Sequence, residues 1–181
     1  MKKILWLILM LSLSLPVYNL SAENIHERFK NSPHIRVYLR EVTAGRDNDE
    51  IEIGLFKQVF KNELRERLNI KFMPVSNLDE ADVIIDAHIK DYAFKKKAMP
   101  SFFSIPAFVA DTTAPKSSAS LTVDYQIIDP DDGKVLLRRK NFTTIERRPI
   151  EDMAGEQGFI YASEKNINRF IYRSFHEQKR R

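Results

Sequence analysis

A chain of 181 residues with 43% apolar residues is long enough to bury a substantial core, and 29 basic against 25 acidic side chains leave a formal net charge of only +4. That balance argues against a nucleic-acid partner, which usually calls for a strong, clustered basic excess. Cys is absent throughout, which excludes disulfides, thiolate metal sites, a Cys nucleophile and a lipid-modified N-terminal Cys.

Lys2 and Lys3 precede an apolar run from Ile4 to Leu15, then Pro16 and the small-residue ending Leu20-Ser21-Ala22. This order predicts a secretory signal peptide over residues 1–22, cleaved after Ala22, followed by a single periplasmic α+β domain over 23–181. The apolar run falls short of the roughly 20 residues a membrane-spanning helix needs. Without Lys2 and Lys3, 27 basic side chains stand against 25 acidic ones.

Further along, Ile35, Val37 and Leu39 alternate with Arg36, Tyr38 and Arg40, the two-residue period of a strand with one buried face. A polar loop around Gly45 to Asn48 follows. From Asp49 to Leu68 the apolar residues Ile53, Phe56, Val59, Phe60, Leu64 and Leu68 recur every three or four positions, which predicts an amphipathic helix. Ile70 and Phe72 suggest a short strand ended by Pro74, and Asn77 to Glu80 a turn. The long strand after it, Asp82 to Phe94, places Val83, Ile85, Ala87 and Ile89 on a buried face and Ile84, Asp86, His88 and Lys90 on a wet one.

Pro100, Pro106 and Pro115 interrupt the stretch from Ala98 to Lys116, so no regular element is expected there. Ser118 to Asp129 and Lys134 to Ile145 form a predicted hairpin around the turn residues Asp129-Pro130-Asp131-Asp132-Gly133, with Leu121, Val123, Tyr125 and Ile127 pointing inward. A connection through Pro149, Gly155 and Gly158 leads to a last helix, on which Ile160, Ser163, Ile167, Phe170, Ile171, Ser174 and Phe175 share a face. The tail from His176 to Arg181 is basic. The predicted fold class is α+β: a two-layer sandwich of a mixed four- to five-stranded sheet with two helices on one face.

Catalytic signatures are sparse. There is no His-Glu-x-x-His, no Gly-x-Ser-x-Gly and no phosphate-binding Gly-rich loop. Asp82, Asp86 and His88 lie on the same side of the long strand and have the chemistry of metal ligands, the one feature that favours a small exported metal-dependent hydrolase. The competing reading is a solvated sheet face with Ile84 in its midst, so no catalytic residue, metal site or cofactor is assigned.

Two surfaces are candidates for contact instead. Lys134, Arg138 and Lys140 on the second hairpin arm could meet phosphate on an anionic lipid, and alternation sends Arg139 to the opposite face. Phe102, Phe103, Ile105 and Phe108, in the Pro-broken stretch, could meet a protein partner or fold back over the core.

Several of these segments together resemble a known family. The strand Ile35 to Leu39, the helix ending Phe60-Lys61-Asn62-Glu63-Leu64, the Glu80-Ala81-Asp82-Val83-Ile84-Ile85 strand entry and the hairpin Leu121 to Asp129 with Gly133-Lys134-Val135-Leu136 are similar to the LptE-like lipopolysaccharide-assembly lipoproteins. The resemblance spans about Ile35 to Phe175. It implies a non-enzymatic protein at the periplasmic side of the outer membrane, partnered with a large LptD-like β-barrel and assisting lipopolysaccharide delivery, with the Asp129 to Gly133 hairpin and its basic arm in the lipid-contacting region. Members of that family begin with an acylated Cys, which this sequence lacks. Outer-membrane activators of penicillin-binding proteins and TolB-N-terminal-like adaptors share the same order of elements and form the alternative.

Overall fold

The computed structural model describes residues 25–45, 50–68, 71–96, 116–149 and 156–175. The segment expected to be a signal peptide, the Phe-bearing stretch with Phe102, Phe103, Ile105 and Phe108, Ile70, and the tail from His176 lie outside these residues. The elements run α1 (Ile25–Phe29), β1 (Ile35–Ala44), α2 (Glu50–Glu66), β2 (Phe72–Pro74), a 3-10 turn (Leu78–Glu80), β3 (Val83–Lys96), β4 (Lys116–Ile128), β5 (Val135–Pro149) and α3 (Glu156–Phe175). The five strands form one sheet in the order β2-β1-β3-β4-β5, parallel across β2, β1 and β3 and antiparallel from β3 to β5.

The α+β architecture is as the apolar periods predict, with one face of the sheet packed on α2 and α3. Val37, Ile85, Leu121, Val123 and Ile127 from the strands meet Phe56, Phe60 and Leu64 of α2 and Ile167, Phe170 and Ile171 of α3 in one buried cluster. Each such side chain contributes about 1.5–3 kcal/mol by leaving water, so the two helix stripes and the sheet face hold the layers together. The short α1 has no counterpart among the sequence expectations. Its Ile25 and Phe29 join the same cluster, and Phe29 and Phe72 both pack on Phe175 with centroids 6.0 and 5.0 Å away. Gly158, expected in a connection, lies buried near the start of α3.

Three of the strands do not keep one alternation along their length. Opposite β3, β1 carries Arg40 as an extra residue between Leu39 and Glu41; opposite β4, β3 carries Lys90 between Ile89 and Asp91. One extra residue reverses which side chains face the core. The inward series Ile35, Val37, Leu39 therefore continues as Val42 and Ala44, and Val83, Ile85, Ala87, Ile89 continues as Tyr92 and Phe94. In β5, Lys140 and Asn141 stand opposite the lone Asp124, because Val123 pairs with Phe142 and Tyr125 with Arg139. Asn141 adopts φ 52°, the left-handed region that Asn tolerates better than other residues with a Cβ, and its N–H donates to Asp124 Oδ1 at 2.5 Å.

The hairpin turn matches its sequence chemistry. Asp129 Oδ1 accepts from the N–H of Asp131, the Asp129 carbonyl accepts from the N–H of Gly133, and Gly133 takes the positive φ of 69° that the turn requires. Arg28 of α1 forms an ion pair with Asp129, tying the N-terminal helix to this turn.

Candidate functional site

The open face of the sheet carries the side chains that the sequence offers as ligands, and the register sorts them into cross-strand rows. Tyr38, Ile84, Ile128 and Val135 stand opposite one another across four strands. Ile84 and Ile128 are each only 4% exposed, so the first part of this face is not the wet surface that simple alternation of β3 suggests. The next rows are polar: Asp86, Gln126 and Arg138, then Thr43, His88 and Asp124.

Each supposed ligand is engaged with a neighbouring strand. Asp82 precedes β3 and clasps Arg36 of β1: one carboxylate oxygen accepts from the Arg36 backbone N–H at 2.7 Å, the other from its Nη2 at 2.7 Å, and the Asp82 N–H donates to the Arg36 carbonyl at 2.8 Å. The hydrogen bonds from Arg36 hold the Asp82 carboxyl below its ordinary range against the opposing effect of desolvation. Asp86 receives Nε and Nη2 of Arg40 at 3.0 and 2.5 Å, a bidentate pair. His88 Nδ1 and Thr43 Oγ1 are 2.8 Å apart. A depression of about 290 Å³ borders Asp86, His88, Asp124 and Gln126, yet no group of three or more His, Asp or Glu among the described residues has metal-binding geometry. The arrangement is one of paired strand clasps.

The hairpin cations are distributed differently from a single cluster. Arg138 and Lys140 are exposed on the open face of β5, and Arg139, opposite Tyr125, turns to the helix side, as alternation predicts. Lys134 sits in the turn, its N–H bonded to Asp132 Oδ1. Lys140 lies six residue steps further along, roughly 20 Å of extended chain, so Lys134 and Lys140 cannot grip one phosphate together. Arg138 reaches Gln126 Oε1 at 3.5 Å, and among the described residues neither Arg138 nor Lys140 has an acidic partner. Beyond the Asn141 bulge the inward series is Phe142, Thr144, Glu146 and Arg148, opposite inward residues of β4. Arg148 lies 3.6 Å from the Tyr161 ring centroid and pairs with Glu146, which also binds Lys165 at 2.7 Å. Burial pushes the Glu146 carboxyl up, and Lys165 and Arg148 outweigh it and hold it below its ordinary value.

Two buried polar groups were not among the sequence candidates. Asn166 of α3 accepts from Tyr125 Oη at 2.8 Å and directs its amide at the carbonyls of Leu121 and Phe142 and at Thr144 Oγ1, at 3.1, 3.0 and 3.2 Å. Glu63 of α2, hydrogen-bonded by Asn168 and 3.5 Å from Arg67, has its carboxyl raised by burial. Asn166 falls between Ser163 and Phe170 on the core-facing helical stripe, the spacing that could have flagged it.

No family model matches the chain, and no curated protein sequence does. Among solved structures, a neuraminyllactose-binding hemagglutinin homolog of Helicobacter pylori is 10% identical, with a TM-score of 0.46 over 81% of this chain and 84% of that one. The hypothetical protein CT253 of Chlamydia trachomatis is 10% identical, with a TM-score of 0.44 over 77% and 95%. The PelC dodecamer of Paraburkholderia phytofirmans gives 12% identity and a TM-score of 0.42 over 80% and 89%. Likenesses at this level concern the path of the chain only.

Proposed function

We propose that this chain is a non-enzymatic adaptor of the bacterial envelope, similar to the LptE-like proteins, that works at the periplasmic side of the outer membrane beside a β-barrel partner and assists lipopolysaccharide transport. The observation that carries this reading is β5. It is a sheet-edge strand with five cations, Arg138, Arg139, Lys140, Arg147 and Arg148, against one acid, Glu146, and Arg138 and Lys140 stand exposed without acidic partners among the described residues. Exposed guanidinium and ammonium groups on a rigid strand suit contact with lipid phosphates, where charge-assisted hydrogen bonds form without reorganising the backbone.

Replacing Arg138 and Lys140 together with Glu tests the lipid contact. Binding to lipopolysaccharide micelles is expected to fall about tenfold, a loss of about 1.4 kcal/mol; unchanged binding removes these residues from the lipid contact. Affinity purification of the tagged chain from envelopes is expected to recover a large β-barrel protein. Recovery of a peptidoglycan synthase in its place transfers the chain to the penicillin-binding-protein activators.

A further inference from the structure

At the opposite edge of the sheet, β2 covers little of β1. It pairs with Ile35, Arg36 and Val37 only, and the last bond across this seam runs from the Val75 N–H to the Val37 carbonyl at 3.0 Å. The backbone groups of Ile35 and Val37 point toward β2, while the Arg36 carbonyl bonds to Asp82 on the β3 side. Alternation therefore aims the N–H and C=O of Leu39 along an edge that no strand covers among the described residues. Past the Arg40 bulge, Gly45 bonds to Ile89 of β3, so Val42 and Ala44 are the residues whose backbone groups face outward again. Among the described residues no strand pairs with β1 on this side beyond Val37.

A cavity of about 250 Å³ opens at this point, bordered by Leu39, Phe60, Leu64, Val75, Lys57 and Lys61. Lys57 and Lys61 are one helical turn apart on α2, both exposed, and neither has an ion pair among the described residues. Like charges at this spacing weaken a helix by a few tenths of a kcal/mol, so nothing in the fold itself gains from them. Unpaired strand edge, apolar floor and two cations on the rim are the three parts of a strand-addition groove.

We propose that this groove binds an extended segment of a partner protein that carries acidic side chains, which takes up the line of β2 where the chain leaves it at Val75. Its backbone bonds to Leu39 and Val42, an apolar side chain enters the cavity over Phe60 and Leu64, and its carboxylates meet Lys57 and Lys61. This site is separate from the β5 cations and does not depend on their role.

The probe is a capped six-residue peptide alternating Val with Glu, compared with one alternating Val with Lys, added to the purified chain at low salt. The Val-Glu peptide is expected to slow hydrogen exchange at the Leu39 and Val42 amides about tenfold or more, and its affinity to fall as salt rises. Lys57→Glu with Lys61→Glu, two exposed changes that leave the core untouched, is expected to weaken the Val-Glu peptide about tenfold and strengthen the Val-Lys peptide. Unchanged exchange at Leu39 and Val42 under saturating Val-Glu peptide overturns the proposal, as does equal binding of the two peptides.

Discussion

On the helix-covered face of the sheet, Asn166 gathers Tyr125, Thr144 and two backbone carbonyls at one buried point. On the open face, polar side chains are shared out in separate pairs, Asp82 with Arg36, Asp86 with Arg40 and His88 with Thr43. The first arrangement concentrates its cost, because an unmet hydrogen bond away from water loses the full desolvation of the group. The second spreads it, since water can replace any one partner. The faces should therefore differ sharply in their response to mutation.

Asn166→Ala should have the largest effect. It strands Tyr125 Oη in the core and leaves the space of the amide empty, and a loss of about 2–4 kcal/mol is expected in urea unfolding. The amide has two hydrogens for three nearby acceptors, so the bonds are partly shared and the loss falls short of the sum of separate bonds. A loss under about 0.5 kcal/mol would erase the contrast between the faces.

Next comes Asn141, where β5 changes which residues face the helices. Asn141→Val puts a β-branched side chain at φ 52° and is expected to cost about 1–2 kcal/mol, whereas Asn141→Gly should cost less. If both variants unfold at the same urea concentration, the backbone conformation is not what holds the bulge.

Much of this architecture is legible in the sequence, and the bulges mark where a simple period fails. The order of elements, the helix stripes and the hairpin turn follow from period and turn chemistry, because each repeats over many residues. The reversal in β3 leaves a trace too: apolar residues occupy odd positions from Val83 to Ile89 and then even ones at Tyr92 and Phe94. A strict two-residue alternation misses that shift. The five-residue α1 is too short to show a period, and the burial of Ile84 depends on which strands end up opposite it. As for the candidate site, the sequence places Asp82, Asp86 and His88 on one side of the strand. It cannot show that Arg36, Arg40 and Thr43 arrive opposite them, since that register joins residues about 45 positions apart.

Asp82→Ala removes the acceptor of the Arg36 N–H at the start of β3 and should cost about 1 kcal/mol at neutral pH, less than a buried bond because water reaches the pair. Asp82 has its folded-state carboxyl held below the ordinary 3.8, so its contribution is full above that pH and is lost as the pH falls through the folded value. The stability difference between wild type and variant should thus shrink as the pH falls below 3.8 and through the folded value; a difference that stays constant throughout acid titration would assign the loss to packing.

Glu63 runs the other way. Its carboxyl is raised above the ordinary 4.5 by burial, so the folded state binds the proton more tightly and stability declines as the pH rises from 4.5 through the folded value. Glu63→Gln keeps an oxygen acceptor for Asn168 and removes the buried charge, and is expected to gain up to about 0.5–1 kcal/mol at pH 7 and to flatten that decline. A variant less stable than wild type at pH 7 would show that Arg67 more than offsets the burial.

The smallest effect is expected at His88, the residue that most suggests a ligand in the bare sequence. Its bond to Thr43 is on the exposed face, and both groups find water when it is removed. His88→Ala should therefore change unfolding by less than about 0.5 kcal/mol. The result bears on more than stability, because a metal shared by Asp86, His88 and Asp124 would stabilise the native chain in proportion to its binding. Zn²⁺ titration of the wild type should leave the unfolding midpoint where it is. A midpoint that rises with Zn²⁺, and fails to rise in His88→Ala, would turn the open face from a set of clasps into a binding site and reverse the contrast with the covered face.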